Sequence, residues 1–283
     1  MASQREIRRR INSARNIKQI TRAMQFVAAS KLKRAQDATL AARPYSEKLD
    51  EVLADLAAVL GGEDHPLLAE RSGGKRLIVL ITTDRPLAGP LNTNIVRFVS
   101  RDIIDNPGDL AVVTIGRKGR DAMRRAGVPL EAHFATFGDR PAFADVIPVA
   151  RLLTDDFLAG AIDRVDIVYS HWVSTLVQRP TLLTILPVQP AEDTEGIPGN
   201  QFIFEPSAGE VLQQLLPRYV ATRLFQAVLE AKASEESSRM VAMKNATENA
   251  EELIEDLTLS YNKVRQANIT REMIEIASGA QAR

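Results

Sequence analysis

The chain has 283 residues, of which 45% are hydrophobic and 25% are charged, a balance that allows a sizeable buried core. Its formal net charge of +0 provides no overall field to draw it to nucleic acid or to an anionic membrane. Because it has no cysteine, disulfides, thiolate nucleophiles and cysteine metal sites are excluded. No apolar run approaches the roughly 20 residues that span a bilayer.

A long helix is predicted at the N-terminus, over residues 1–60. Ser3 and Glu6 have the spacing of a capping box, and apolar residues follow at intervals of three and four. Such a narrow stripe is typical of a coiled-coil seam. We expect a kink at Pro44, which lacks a backbone N–H. The stripe consists of Ile7, Ile11, Ala14, Ile17, Ile20, Met24, Val27, Ala28, Leu32, Ala35 and Ala38, and resumes at Leu49, Leu53, Leu56 and Leu60.

Residues 61–206 show a different pattern, in which short β-branched and leucine-rich runs alternate with helical stretches. This alternation predicts an α/β fold, a Rossmann-like domain with a mainly parallel sheet and right-handed crossovers. The predicted strands are 76–83, 110–115, 130–134, 165–171 and 181–186, and the predicted helices are 92–104, 117–126 and 143–159.

A second long helix is predicted over residues 207–283. Ser207 and Glu210 form another capping box, and no glycine follows until Gly279. Since a proline inside a helix costs about 3 kcal/mol, we expect the uninterrupted helix to begin at Pro217, after a short leading turn.

Neither terminal helix can bury its stripe alone, so we expect the two to pair as a long antiparallel coiled coil projecting from the α/β domain. The proposed register places the early arginines near acidic residues 251–256. The first helix measures roughly 85 Å and the second roughly 105 Å at 1.5 Å per residue. From about Arg265, the second helix should therefore extend past the first and expose Ile269, Met273, Ile274 and Ile276 to a partner. The early arginines are Arg5, Arg8, Arg9, Arg10 and Arg15.

Few residues suggest catalytic chemistry. Asp84 follows the first predicted strand, where α/β folds often place functional groups, but residues 83–94 contain neither G-x-G-x-x-G nor a P-loop lysine. Gly116–Gly119 could cradle an anion at a helix start, or be a plain turn. The three histidines lack the spacing of metal ligands. We therefore predict no catalytic residue, metal or cofactor. The histidines are His65, His133 and His171.

The basic face of the first helix leaves a coiled-coil nucleic-acid-binding or adaptor protein as an alternative, and a Rossmann-type enzyme as a third. Against nucleic acid, the basic stretch has no interleaved aromatic residue beyond Phe26, and the second helix carries acidic residues that neutralise part of the charge.

Both ends of the chain resemble a known family. REIRRRINSARNIKQITRAMQFVAASKLKRAQ at 5–36, SRMVAMKNATENAEELIEDL at 238–257 and LSYNKVRQANITREMIEIASGA at 259–280 closely resemble the terminal helices of gamma subunits of F-type ATP synthases. RPYSEKL at 43–49 and FIFEPS at 202–207 also fit. The resemblance covers the whole chain in order but is loose across the middle, where Pro86 and Pro90 stand at positions that are usually glycine.

The resemblance implies a non-catalytic rotor subunit, the central stalk of the complex. In this family the coiled coil fills the axis of a hexamer of alternating alpha and beta subunits. The base of the coil and the α/β domain rest on the membrane c-ring with the epsilon subunit. Hydrogen ion transport turns the ring, and the turning stalk drives ATP synthesis in the beta subunits. The implied location is peripheral, on the cytoplasmic face of the bacterial inner (cell) membrane, with no nucleic acid as partner.

The resemblance also implies contact residues. Two match positions near the acidic helix-turn-helix of the beta subunit: Met24 and Arg239. Five on the last turns match beta-subunit contacts: Arg265, Gln266, Thr270, Glu272 and Glu275. Three match the foot that rests on the ring: Phe202, Phe204 and Glu205.

Overall fold

A computed structural model describes residues 3–60, 65–71, 73–189 and 204–281. Five helices and five strands occur in these ranges. In chain order they are α1 (Gln4–Leu60), β1 (Arg76–Ile81), α2 (Leu91–Asp105), β2 (Leu110–Ile115), α3 (Arg117–Arg125), β3 (Leu130–Phe134), α4 (Phe143–Leu158), β4 (Arg164–Trp172), β5 (Gln178–Leu186) and α5 (Ala208–Gln281).

The strands form one sheet in the order β3-β2-β1-β4-β5. The first four are parallel, which confirms the predicted Rossmann-like arrangement, and the predicted strands and helices match the observed ones closely. Strand β5 instead runs antiparallel to β4. Only residues 173–177 separate β4 from β5, too few for the crossover that a parallel pair needs.

Successive residues of β1 point to opposite faces of the sheet and enter two separate cores. On one face, Leu77 and Val79 pack with α4 and with leucines of α1 and α5. On the other face, Ile78 and Leu80 pack against α2 and α3. The two long helices therefore take part in the core of the α/β unit. The leucines in question are Leu49, Leu53 and Leu56 of α1 and Leu212, Leu216 and Leu224 of α5.

Two internal prolines do not end the long helices. Helix α5 begins at Ala208 and continues through Pro217, so the expected start at Pro217 is wrong. The burial of Leu212 and Leu216 holds the first turns in place, which offsets the backbone hydrogen bond that the proline cannot make. Helix α1 likewise continues through Pro44, and the kink expected there stays a prediction.

Half of each predicted capping box is present. The Ser3 hydroxyl accepts the Glu6 N–H at 3.3 Å, and the Ser207 hydroxyl accepts the Glu210 N–H at 3.3 Å. The Glu6 carboxylate pairs with Arg10 of its own helix at 2.7 Å, so it reaches along α1 and not back to the cap.

Contacts divide the chain into two compact units. Met1–Ala29 with Arg239–Arg283 form one, here called the helical unit, and Ser30–Ser238 form the other, the α/β unit. Within the helical unit, the two helices run antiparallel. The pairs that set their register are Gln4 with Tyr261 at 3.1 Å, Lys18 with Glu251 at 2.5 Å and Thr21 with Thr247 at 2.7 Å.

The cross-helix ion pair differs from the one expected. Lys18, and none of the five early arginines, makes the ion pair with the acidic stretch of α5 among the described residues. Lys18 occupies a seam position between Ala14 and Thr21, whereas the arginines lie one position or more to the side. Their side chains therefore remain in solvent.

Candidate functional site

The crevice in which α/β proteins usually bind ligands is occupied by α5. In the observed strand order, the chain leaves β1 toward β2 and returns to β4, so the carboxyl ends of β1 and β4 flank the topological switch point, where such folds place ligands. Here the Ser234 hydroxyl donates to the carbonyl oxygen of Ser170, at the end of β4, at 2.7 Å. The Ser238 hydroxyl donates to the Ala88 carbonyl, after β1, at 2.7 Å.

A cluster of charged side chains lies beside these serines. Lys232 is 3.5 Å from Asp139, 3.1 Å from Glu235 and 3.0 Å from Glu236. Burial alone would lower the pKa of Lys232, but the nearby charges of Glu235 and Glu236 raise it and keep the lysine protonated. Glu235 and Glu236 lie on α5 with Lys232, so the pair with Asp139 is the one that connects α5 to another element, the loop after β3.

Asp139 joins this cluster to α1. Its carboxylate accepts a hydrogen bond from Lys31 at 2.7 Å and lies 3.2 Å from Arg85. The Lys31 hydrogen bond lowers the pKa of Asp139 to about 2, against the opposing effect of burial, and the charges of Lys232, Lys31 and Arg85 add to the shift. The loop after β3 is thus fastened to both long helices.

A small cavity of about 40 Å³ remains between the strand ends and α5. Its lining combines apolar side chains with polar ones, including Thr83, Thr136, Ser170 and Lys232. The buried Ser170 hydroxyl has no hydrogen-bond partner within the described part of the chain. A polar space of this size suits an ordered water rather than a substrate.

Asp84, the candidate from the first strand, serves the local fold. It accepts the Arg117 N–H at 2.7 Å and the Thr136 hydroxyl at 2.7 Å. Burial would raise the pKa of Asp84, but these hydrogen bonds, the Thr136 bond foremost, lower it below its usual value.

The predicted anion cradle at Gly116–Gly119 is a helix start whose backbone donors are already used. Besides the Arg117 N–H, the Gly119 N–H donates to Thr82 Oγ1 at 2.8 Å. Gly116 has φ of +100°, and a Cβ there would overlap the carbonyl oxygen of Thr82. The glycine therefore serves a tight turn.

The three histidines occupy separate places and have ordinary partners. His65 Nδ1 accepts the Leu67 N–H at 3.1 Å, His133 Nδ1 lies 3.1 Å from Thr114 Oγ1, and His171 Nδ1 lies 2.5 Å from Glu230. Within the described residues, no group of acidic, histidine or cysteine side chains is arranged to hold a metal ion.

The turn after β1 contains the two unusual prolines. Leu87 has a φ of 68° and Gly89 a φ of 53°. The positive φ values of the turn therefore belong to the neighbours of Pro86 and Pro90 and not to the prolines. The Asn92 side chain closes the turn by accepting the Thr83 N–H at 3.1 Å.

Within the helical unit, the two candidate contact residues differ in exposure. Met24 is half-buried on α1, whereas Arg239 of α5 is only 7% exposed. Arg239 thus contributes to packing within this chain.

The candidates on the last turns lie past the end of α1. Because Gln4 contacts Tyr261, the remainder of α5 runs beyond the first described residues of α1, as expected from the unequal lengths. Arg265, Gln266, Thr270 and Glu272 are exposed there, and the Thr270 hydroxyl bonds back to the Gln266 carbonyl at 2.9 Å. The side chain of Glu275 lies outside the described part.

The three foot candidates are not equivalent. Phe204 is half-buried and packs against the core of the α/β unit, whereas Glu205 is exposed. Phe202 lies outside the described residues.

Three apolar residues of α1 lie outside its buried seam. Ile17, Ile20 and Val27 are exposed, Ile20 by 59%, so the prediction that they belong to the seam is wrong. With Met24 they follow steps of three and four, displaced by one residue from the buried seam. Lys18, Thr21 and Gln25 hold the seam positions there, and their polarity hid the heptad in the sequence.

These features define a class of protein in which the last helix fills the ligand crevice of an α/β unit, and the terminal helices pair and carry exposed apolar residues. A family model described as ATP synthase matches residues 3–282. The chain belongs to the family of ATP synthase gamma chains, the central stalk subunits of these complexes.

Curated relatives support this over the full length. The ATP synthase gamma chain of Dehalococcoides mccartyi is 49% identical over 284 residues, covering 100% of this chain and 99% of the relative. That of Desulforamulus reducens is 47% identical over 285 residues, with 100% and 99% covered.

Solved structures share the fold. A chain of the Tetrahymena thermophila mitochondrial ATP synthase central stalk and c-ring structure has a TM-score of 0.63 at 25% identity, covering 80% of this chain and 99% of that one. A chain of the Euglena gracilis mitochondrial ATP synthase rotor has a TM-score of 0.68 at 19% identity, covering 94% and 98%. None of the helices in the described ranges is both long and apolar enough to be a membrane span.

Proposed function

We propose that this chain is the rotor of an F-type ATP synthase. It couples ion-driven rotation of the membrane c-ring to the conformational cycle of the catalytic beta subunits, and so to ATP synthesis. The helical unit turns inside the hexamer of alpha and beta subunits, while the α/β unit, with the epsilon subunit, rests on the ring. The complex lies on the cytoplasmic face of the bacterial cell membrane, and this subunit is peripheral.

The observation that carries the proposal is the apolar surface of the helical unit. Ile17, Ile20 and Val27 of α1, and Ile269, Met273 and Ile276 of α5, are all exposed, Ile276 by 73%. A solvated helix presents polar residues on its outer face. Apolar residues exposed on both helices indicate a protein surface that covers them. A surrounding hexamer supplies one.

The proposed contacts divide between two levels of the helical unit. Met24 is half-buried beside the exposed Ile20 and Val27 on α1, and it meets the beta subunit through apolar contact. Arg239 supports that contact from a buried position. The last turns reach beta-subunit loops with polar side chains, namely Arg265, Gln266, Thr270, Glu272 and Glu275. For the foot, the proposed ring contacts are Phe202, Phe204 and Glu205.

A non-catalytic role is supported by the occupied crevice. The site where a Rossmann-like enzyme would bind its substrate contains Val228, Ala231 and Lys232 of α5.

The proposal is tested by assembly and by coupling. The full chain should co-purify with alpha and beta subunits, and deletion of residues 265–283 should abolish ATP synthesis driven by an ion gradient in vesicles. A full chain that stays alone in the presence of both subunits would contradict the proposal.

A matched pair of variants tests the stripe. Ile20→Asp places a charge where we expect an apolar contact and should lower coupled ATP synthesis at least about tenfold, because a desolvated charge without a partner is costly. Gln19→Asp makes a similar charge change at a neighbouring exposed position and should have a much smaller effect. Equal activities in the two variants would count against contact through the stripe.

A further inference from the structure

Five consecutive residues of α5 are buried on every side. Residues 234–238 are all buried, and Ser234, Glu236 and Ser237 are completely covered. Successive residues of a helix point about 100° apart, so five in a row cover the whole circumference. A helix that packs on one face only leaves its opposite face in solvent. The α/β unit therefore encloses α5 at this level.

The enclosure is made by hydroxyl bonds from three serines to three separate backbone sites. Ser234 donates to Ser170 at the end of β4, and Ser238 donates to Ala88 after β1. Ser237 donates to the carbonyl of Thr175, in the tip of the β4–β5 hairpin, at 2.7 Å. Each acceptor belongs to the rigid sheet or to a turn attached to it.

These bonds fix the rotation of the helix as well as its position. Hydrogen bonds weaken steeply once the donor angle departs far from linear, so turning α5 about its axis would weaken bonds on different sides at once. Apolar packing alone is not directional and would tolerate such a turn more easily. The ion pair of Lys232 with Asp139, in the loop after β3, adds a further attachment.

We propose that the carboxyl edge of the sheet and residues 232–238 form a clasp that locks the sheet to α5 against rotation. The clasp consists of the turn at Ala88, the end of β4 at Ser170, the hairpin tip at Thr175 and the loop at Asp139. This inference rests on the proposed rotor function, because the role of the clasp is to pass torque from the sheet to α5. The crevice in which other α/β proteins bind ligands is occupied by α5 in this chain.

Hydrogen exchange on the full chain tests the clasp without any partner. The triple variant Ser234→Ala, Ser237→Ala, Ser238→Ala removes three hydroxyl donors while keeping small side chains. We expect amides in residues 232–238 and in the hairpin tip to exchange at least about tenfold faster, since they open locally, while β1 and β2 keep their rates.

A matched control is Thr39→Ala with Thr258→Ala. Each hydroxyl bonds to a carbonyl of its own helix, so their loss should leave the clasp unchanged. Unchanged exchange in the triple variant would overturn the proposal. So would a uniform acceleration across the whole α/β unit, because the serines would then support the general core and no separate clasp would exist.

A second measurement addresses rotation in the assembled complex with alpha and beta subunits. A bead attached to the α/β unit through Arg101→Cys, an exposed position of α2, reports the angle of that unit while the hexamer is arrested. In the triple variant, the variance of the bead angle should increase at least about twofold, since fewer directional bonds resist twisting. An equal variance would refute the lock.

The two measurements separate the clasp from the rotor function. If the wild-type chain failed to assemble or rotate, the proposed function would fall, yet the exchange result would still decide whether the clasp exists as a structural element.

Discussion

In the α/β unit, buried charged side chains lie at the amino ends of the strands and also at their carboxyl ends. At the amino end of the strands, Asp166 is completely buried and accepts hydrogen bonds from Arg76 at 2.6 Å and from Thr184 at 2.7 Å. Arg164 is also paired with it at 2.9 Å. At the carboxyl end, Lys232 and Asp139 connect α5 to the loop after β3. Neither cluster could be predicted from the sequence, because the residues that pair in each, Arg76 with Asp166 and Lys232 with Asp139, are far apart along the chain.

Replacement of Asp166 should strongly destabilise the α/β unit. Asp166→Ala leaves the Arg76 guanidinium with one carboxylate fewer in a buried site, and breaking a buried ion pair typically costs about 3 kcal/mol or more. Urea unfolding followed by the fluorescence of Trp172, the single tryptophan, measures the change.

Asp105→Ala is the matched control, since the pair of Asp105 with Arg101 is exposed. It should leave the unfolding midpoint almost unchanged. A midpoint for Asp166→Ala equal to that of this control would show that the buried network contributes nothing to stability.

Asp139 should make stability depend on pH in the acidic range. Its pKa of about 2 in the folded chain lies below the ordinary value of 3.8, so the carboxylate stabilises the fold above about pH 4. That contribution is lost as the pH falls toward 2. Because the side chain is 40% exposed, screening reduces the expected effect to about 1 kcal/mol.

The comparison is between wild type and Asp139→Asn, in urea unfolding at pH 6 and at pH 3. The stability difference should be larger at pH 6. When Lys31 is also replaced by Met, the stability difference should be smaller at both pH values, because Asp139 has lost its principal hydrogen-bond partner. A difference that does not change with pH would contradict the assignment.

The elements themselves follow from local patterns. The buried seam of α1 runs through Ile7, Ile11 and Ala14 and reappears at Ala28, Leu32 and Ala35, always in steps that fit a heptad. Apolar composition alone misplaced the neighbouring stripe, since Ile17 and Ile20 are as apolar as the seam. Only the position of the second helix distinguishes a buried isoleucine from an exposed one.

Ala28 should be sensitive to an increase in size. It is 1% exposed in the seam of the helical unit, so Ala28→Leu must push the helices apart, at about 1–3 kcal/mol. Limited trypsin cleavage at the exposed Arg22 of the isolated chain should then be faster. Ala23→Leu, at an exposed position of the same helix, should cleave like wild type. Faster cleavage in both variants would point to a general loss of helix stability and against overpacking of the seam.

At the scale of the whole molecule, charge is divided between the units. Residues 1–29 contain seven arginines and lysines and one acidic residue, although the complete chain has a formal net charge of +0. The net charge therefore conceals a basic region in the helical unit. Its basic side chains suit an acidic partner surface, in agreement with the proposed hexamer contact.

Amide exchange should reveal three levels of stability in the full chain. Buried strands such as β1 and β4 should exchange most slowly, and the paired helices of the helical unit should be intermediate, because a narrow seam buries less surface. Residues from about Arg265 onward should exchange fastest, since an isolated helical stretch is marginal in water. Exchange followed by mass spectrometry checks this order, and protection of the last turns equal to that of β1 would contradict it.

The sequence by itself determined the two long helices, the strands with their alternating helices, the parallel sheet and the family. These depend on periodicity and capping, which are local, and on motifs that run in order along the chain. Only the tertiary structure decided which face of α1 is buried, that β5 runs antiparallel, that α5 starts before Pro217 and that the crevice is filled by α5. Each of these depends on which distant residues meet in space, and burial and hydrogen bonding there outweigh local preference.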